Sequence, residues 1–267
     1  MNHSLPEPYL WALVRPYTGE LTNVQPTARG FGSDVTALVE CERGPFFVKA
    51  MRNQPGGRRD SIIREKLINP AVRSVSSDLL WHAEDGQWIA LGFEAIQGRP
   101  SSFKPDSPDL PVIIDILNRT SALDLPEVAQ DWADTRWDRF AGNAKAIELL
   151  QGNALLHTDI NPSNLLIGDQ EAWAVDWSWP VRGAAFIDAA WLVVQLISAG
   201  HSAESAESWV AGCMPWVAAD PRAIDVFAAA AVRMYRFRAE RSPDASWLTA
   251  MTTAAQSWAD HRGVTVG

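Results

Sequence analysis

Several things are scarce in this chain, and each scarcity excludes something. Two cysteines, Cys41 and Cys213, in 267 residues cannot build a disulfide framework, and neither has a C-x-x-C neighbour for a metal. That usage suits a reducing compartment, and the expected location is cytoplasmic. No apolar run approaches the ~20 residues that span a bilayer. The longest, AAWLVVQLISAG, is interrupted by Gln195. The opening MNHSLPEPYLWALV lacks both a basic start and a long apolar core, so it does not read as a signal peptide and no membrane partner is expected. Positive charge is also short, 23 basic against 32 acidic side chains for a net −9, which argues against wrapping nucleic acid or coating an anionic membrane. There is no internal repeat and no low-complexity tract. With 47% hydrophobic and 21% charged residues the composition is that of an ordinary globular protein.

The length fits one domain of two lobes, or two small domains. The charge is divided unevenly. Residues 1–100 carry eleven basic and eleven acidic side chains, so the entire excess of −9 belongs to 101–267. The first hundred residues read mainly as strands: VTALVE and PFFVKAM are separated by the turn-like ERG. DSIIREKLIN predicts a short helix with Asp60 as N-cap and Pro70 just past its end. SDLLWHAEDGQWIALGFEAI predicts a hairpin turning at Glu84–Asp85–Gly86. The loop-like IQGRPSSFKPDSPDLP places a boundary between 1–96 and 97–267.

Beyond it the pattern is mostly helical. PVIIDILNRTSAL and DTRWDRFAGNAKAIELLQ carry helical periodicity, FIDAAWLVVQLISAG predicts a buried helix, and DPRAIDVFAAAAVRMYRFRAER predicts another. That last helix has Asp220 as N-cap, Pro221 in its first position and Ser242–Pro243 as its stop. One segment interrupts: LLI and WAV read as a small hairpin turning at Gly168–Asp169.

The chemistry concentrates at this interruption. HTDINPSN (157–164) places Asp159 and Asn164 five apart in a loop between apolar strands, and Asp176 follows at the end of the hairpin. Hard oxygen ligands such as Asn164 and Asp176 suit Mg²⁺, which prefers a few carboxylates plus phosphates to a full protein cage. Asp159 is then left to orient or deprotonate an attacking hydroxyl.

HTDINPSN together with AVDW resembles the catalytic segment of the aminoglycoside phosphotransferase (choline kinase-like) family of the protein-kinase-like fold. The first hundred residues supply independent support. Lys49 shares a strand face with Phe47 and Met51, where an ammonium needs a negative partner. Only four lysines occur in the chain, against nineteen arginines. Glu65 falls between Ile62 and Ile68 at 100° per residue, so it faces the core side of its helix. A strand Lys with a helix Glu is the pair that holds nucleotide phosphates in kinases.

The resemblance implies further roles. RGFGSDVTALV stands where the phosphate loop would be, with Gly30, Gly32 and Ser33 approaching phosphate, although Val35 occupies the place of a third glycine. Val35 is expected to roof the adenine. GFEAIQG resembles the hinge, with the Glu94 carbonyl and Ile96 N–H on the adenine edge. Asp188 and His157 are expected to brace the catalytic loop rather than to react. Trp173, Trp177 and Trp179 are expected to pack as one aromatic cluster.

The implied fold is α+β and bilobal: an N-terminal antiparallel sheet lobe with one helix, then a mainly helical lobe. Asn161 stands in place of the lysine of protein-kinase catalytic loops, no APE occurs, and only twelve positions separate Asp176 from Asp188. That leaves no room for an activation segment and points to a small-molecule kinase. The expected reaction is Mg²⁺-dependent transfer from ATP, with GTP as the alternative nucleotide, to a hydroxyl. The acidic second part favours an amine-bearing acceptor such as an aminoglycoside, in an antibiotic-resistance role, with Asp131, Asp134, Asp138, Glu204 and Glu207 as candidate contacts. The alternatives are a metabolite kinase acting on an amino alcohol or sugar, and a non-catalytic nucleotide-binding regulator.

Overall fold

The computed structural model describes residues 7–27 and 32–266. The chain divides into two compact units. The first runs through Gly98 and takes in Val175–Trp179, and the second comprises Arg99–Ala174 and the chain from Pro180 onward.

The first unit opens with α1 (Pro8–Thr18), followed by β1 (Leu21–Pro26), β2 (Val35–Cys41), β3 (Phe46–Arg52), α2 (Gly57–Val72), β4 (Leu79–Glu84) and β5 (Trp88–Glu94). The strands form one antiparallel sheet in the order β1-β2-β3-β5-β4. The alternation in β3 sends Phe46, Val48 and Ala50 to one face, where they pack with Ala37 and Val39 of β2 and Leu10, Trp11 and Val14 of α1. Its other face carries Phe47 and Met51, which pack with Ile62 of α2 and with Ile89, Leu91 and Phe93 of β5. Val35 joins the first of these clusters. The hairpin turns where the sequence predicts: Asp85 Oδ1 accepts from the backbone N–H of Gln87 at 2.7 Å and of Trp88 at 2.8 Å.

Two features differ from expectation. A second helix, α1, accompanies the sheet. It contains two prolines, but Pro8 sits in the first turn and Pro16 in the last, where few backbone bonds are lost. Helix α2 is also longer at both ends than predicted. It starts at Gly57, so Asp60 lies within the first turn rather than capping it, and it continues through Pro70. Burial of Ile68, Asn69 and Val72 holds that last turn in place although Pro70 supplies no N–H.

The second unit contains β6 (Arg99–Pro100), α3 (Leu110–Ser121), α4 (Ala144–Leu150), β7 (Ala154–Leu156), β8 (Leu165–Ile167), β9 (Ala172–Ala174) and β10 (Val181–Gly183). It continues through α5 (Ile187–Ser198), α6 (Ala203–Val210), α7 (Met214–Val217), α8 (Pro221–Arg241) and α9 (Ser246–His261). The predicted hairpin is β8–β9, its turn closed by Gly168 N–H donating to Glu171 C=O at 2.8 Å. Helix α5 is buried along most of its length, with Ala190, Leu192, Val193, Val194 and Leu196 fully enclosed. Helix α8 begins as predicted, Asp220 accepting from the Arg222 N–H and Pro221 following in the first helical position.

The stretch 134–151 is not one helix. A 3₁₀ turn over Arg136–Arg139 ends before Gly142, whose φ of +99° no regular helix accommodates, and α4 starts afresh with Asn143 accepting from Ala146 N–H at 3.0 Å. Among the described residues no helix is long and apolar enough to cross a membrane.

Candidate active site

In the first unit, Lys49 lies on β3 between Thr36 of β2 and Leu91 of β5. Its ammonium is 4% exposed and meets three acceptors, one for each proton: Glu65 Oε2 at 2.6 Å, Asp176 Oδ1 at 2.6 Å and Ser178 Oγ at 2.7 Å. Burial disfavours the charged lysine, but the Glu65 and Asp176 carboxylates outweigh it and hold its pKa above the ordinary value. Glu65 is reached because the helical phase of α2 buries Ser61, Ile62, Glu65, Ile68 and Asn69 together. Burial pushes the Glu65 carboxyl up, and the Lys49 ammonium pulls the other way.

Ser178 ties this set together. Besides accepting from Lys49, its hydroxyl lies 2.5 Å from Asp176 Oδ1 and 3.2 Å from Glu65 Oε2. Asp176 takes a left-handed backbone, φ 65°, which aspartate tolerates better than most residues. Of the tryptophans that follow in sequence, Trp177 is buried and Trp179 is 46% exposed.

In the second unit, the loop from His157 to Asn164 connects β7 to β8. Asp188, in the first turn of α5, accepts from the backbone N–H groups of His157 at 2.8 Å and Thr158 at 2.9 Å. Thr158 needs that anchorage. It is β-branched yet has φ 66°, a conformation that costs about 1–3 kcal/mol unless its surroundings impose it. Burial pushes the Asp188 carboxyl up, opposed by His157 and by the backbone donors it receives.

Asp159 follows as an exposed carboxylate among buried neighbours. Its own N–H donates to His157 Nδ1 at 3.2 Å. Asn161 Nδ2 donates to its Oδ1 at 3.1 Å, and Asn164 Nδ2 donates to its Oδ2 at 2.9 Å. Both oxygens are thus oriented by amides while the group stays open to solvent. Asn161 also accepts from Ser163 N–H at 2.9 Å, which fixes its own side chain.

Gly30 lies outside the described residues. Gly32 is exposed, and no atom would crowd an added Cβ there. The Ser33 hydroxyl is buried and has no hydrogen-bond partner among the described residues. Glu94 ends β5, and its N–H donates to Asp78 C=O at 2.9 Å; Ile96, two residues on, lies in an irregular stretch and is half-buried. Sequence reasoning missed Ser178 altogether and read Asn161 only as a missing lysine. A serine two residues after the strand-end aspartate was the available signal.

No protein-family model and no curated protein matches the sequence. Solved structures do. The chain is similar to the choline kinase of Streptococcus pneumoniae at 11% identity, over 94% of this chain and 98% of that one, with a TM-score of 0.64. The same choline kinase also matches in complex with AMP, at 10% identity over 93% of this chain and 87% of that one, TM-score 0.55. A microcompartment-associated aminopropanol kinase aligns at 14% identity over 97% of this chain and 100% of its own, TM-score 0.59. The macrolide 2′-phosphotransferase of Brachybacterium faecium aligns at 14% identity over 92% and 97%, TM-score 0.52. The fold is that of the protein-kinase-like phosphotransferases. Within that fold, the structures it resembles are those of kinases that act on small molecules.

Proposed function

We propose that the protein is an ATP-dependent small-molecule kinase that phosphorylates an alcohol. One observation carries this reading: an exposed aspartate with both oxygens held by amides, in a chain that also buries a lysine against two carboxylates. In the proposed reaction the acceptor oxygen attacks the γ-phosphorus, the bond to the β-γ bridging oxygen breaks, and ADP leaves. Asp159 orients the hydroxyl and takes its proton. Lys49 serves the nucleotide phosphates, and Glu65 and Ser178 hold Lys49. The orphaned Ser33 hydroxyl offers a phosphate one more donor, and Gly30 and Gly32 let the backbone approach it. Val35, the Glu94 carbonyl and the Ile96 N–H serve the adenine. Asp188 and His157 keep the loop in shape. The binding of AMP by the choline kinase it resembles supports a nucleotide here.

The donors present fit Mg²⁺. Asn164 spends its amide N–H groups on Asp159, leaving its carbonyl oxygen, and Asp176 adds a carboxylate. Among the described residues no group of three or more His, Cys, Asp or Glu side chains is arranged to hold a metal. Asn164 and Asp176 are each the kind of hard oxygen donor that Mg²⁺ takes alongside phosphate oxygens. When bound, the ion neutralises phosphate charge.

Two of the carboxylates expected to meet an amine-bearing, aminoglycoside-like acceptor are occupied. Asp134 takes Arg136 and the Trp137 indole N–H, and Glu207 takes Arg262 and the Trp258 indole N–H. This favours a metabolite-sized alcohol over an aminoglycoside. ADP release should appear with at least one member of a panel of polyols, amino alcohols and aminoglycosides, and should disappear in Asp159→Ala. ATP binding without turnover on any acceptor would instead make the protein a nucleotide-binding regulator.

A further inference from the structure

The glycine-bearing loop before β2 is held at its two ends by backbone. Thr27 N–H donates to Thr36 C=O at 2.9 Å, and Asp34 N–H donates to Ala50 C=O of β3 at 3.1 Å. Gly32 is held differently, by a side chain from another element. Arg58, in the first turn of α2, donates from Nε to the Gly32 carbonyl at 3.0 Å. The same guanidinium donates from Nη2 to Asp34 Oδ1 at 2.6 Å. The other oxygen of Asp34 accepts from the backbone N–H of Arg52, on β3, at 2.8 Å.

One guanidinium thus joins three parts of the first unit: the loop, the strand that carries Lys49 and the helix that carries Glu65. Arg58 stands seven residues before Glu65, close to two full turns, so the two side chains leave α2 on the same side. Stability is a poor reason for the arrangement. The Arg58 side chain is 60% exposed, and exposed ion pairs contribute little to stability. What Arg58 fixes is the direction of a peptide group. In a planar trans peptide the C=O and the following N–H point opposite ways. With the Gly32 carbonyl committed to Arg58, the Ser33 N–H is turned to the other side. An anion approaching from that side meets a donor instead of a carbonyl oxygen. The Ser33 hydroxyl, buried and with no partner among the described residues, is a second donor on the same residue.

We propose that Arg58 is a positioning residue for the nucleotide phosphates: it sets the Gly32–Ser33 peptide before the ligand arrives, so that binding does not have to order the loop. Arg58 acts here through the loop backbone and is not itself a phosphate ligand. The proposal rests on the kinase reading for the nature of the ligand.

The test pairs equilibrium titration of the full-length protein, with Mg-ADP and with adenosine, with amide hydrogen exchange of the ligand-free protein. Arg58→Ala, which suits a helix, should keep the melting temperature and weaken ADP about tenfold, the scale of one hydrogen bond to a charged group. Adenosine has no phosphate and should bind as to wild type. The amides of Ser33 and Asp34 should exchange faster in ligand-free Arg58→Ala. Arg58→Lys keeps the charge but cannot fork onto both acceptors, so it should restore only part of the ADP affinity. Arg59→Ala is the control: it removes bonds from the same helical turn to Asn53 at 2.7 Å and Glu84 at 3.5 Å, and it should leave ADP binding as it was. Wild-type ADP affinity in Arg58→Ala, an equal loss for adenosine, unchanged exchange, full restoration by Arg58→Lys or an equal loss in Arg59→Ala would each overturn the proposal while leaving the kinase reading in place. A wild-type protein that bound no ADP would overturn both.

Discussion

Lys49 has the most to lose from a single substitution. Lys49→Met leaves Glu65 and Asp176 facing each other with their shared cation gone. Breaking a buried pair in this way costs about 3–5 kcal/mol. A large fall in melting temperature is expected along with loss of ATP turnover. A melt that matched wild type would mean that the pair holds nothing together. Ser178→Ala tests a finer point. It removes one hydrogen bond, worth about 1 kcal/mol, yet it frees Lys49, Glu65 and Asp176 from a shared hinge. Its main expected effect is a raised KM for ATP with a small change in stability, and threonine, which keeps the hydroxyl, should restore part of the loss. Lys49 and Glu65 were legible because strand alternation and helix phase each put a charge on an apolar face. Ser178 was not, because a hydroxyl that reaches Lys49 across 129 positions leaves no periodic trace.

Elements were legible where their signals agreed. Asp220–Pro221 starts α8, and the β4–β5 and β8–β9 hairpins turn at their Gly-Asp pairs. They were misread where proline or glycine had a second meaning. Proline near a helix end was taken as a stop in α2, and Gly142 inside a periodic stretch was passed over although it separates the 3₁₀ turn from α4. Gly92 of β5 shows what packing alone demands. A Cβ there would run into the indole of Trp81 on β4, which is itself buried and stacked beside Tyr17. Gly92→Ala should cost about 1–3 kcal/mol as overpacking, seen as a lower denaturation midpoint. An unchanged midpoint would show that the Trp81 ring is free to move.

At the scale of the molecule, charge acts differently on stability and on function. The Arg99 fork on Asp109, at 2.7 and 2.6 Å, holds that carboxyl below the usual carboxylate range. A depressed carboxyl contributes stability above its unfolded pKa of about 4 and loses it as pH falls through the folded value. Asp109→Asn should therefore lower the melting temperature at pH 7 and narrow its gap to wild type as the pH falls below about 4. A gap independent of pH would remove the ion pair from the account. The net charge of −9 did not survive as a guide to the acceptor, because Asp134 and Glu207 spend their charge inside the second unit. Composition counts charges without saying which are already paired. The fold was legible down to its two-part plan, whereas the acceptor was not, since the residues that would meet it are scattered over helices without a shared motif.

The central claim is that the buried lysine set and the exposed aspartate serve one phosphoryl transfer. ³¹P NMR of the protein with ATP, Mg²⁺ and an acceptor alcohol tests it most directly. The account predicts a new phosphomonoester resonance matched by ADP, reduced by roughly 10²–10⁴ in rate in Asp159→Ala although that variant still folds and binds nucleotide. A phosphomonoester formed at the wild-type rate by Asp159→Ala would contradict it.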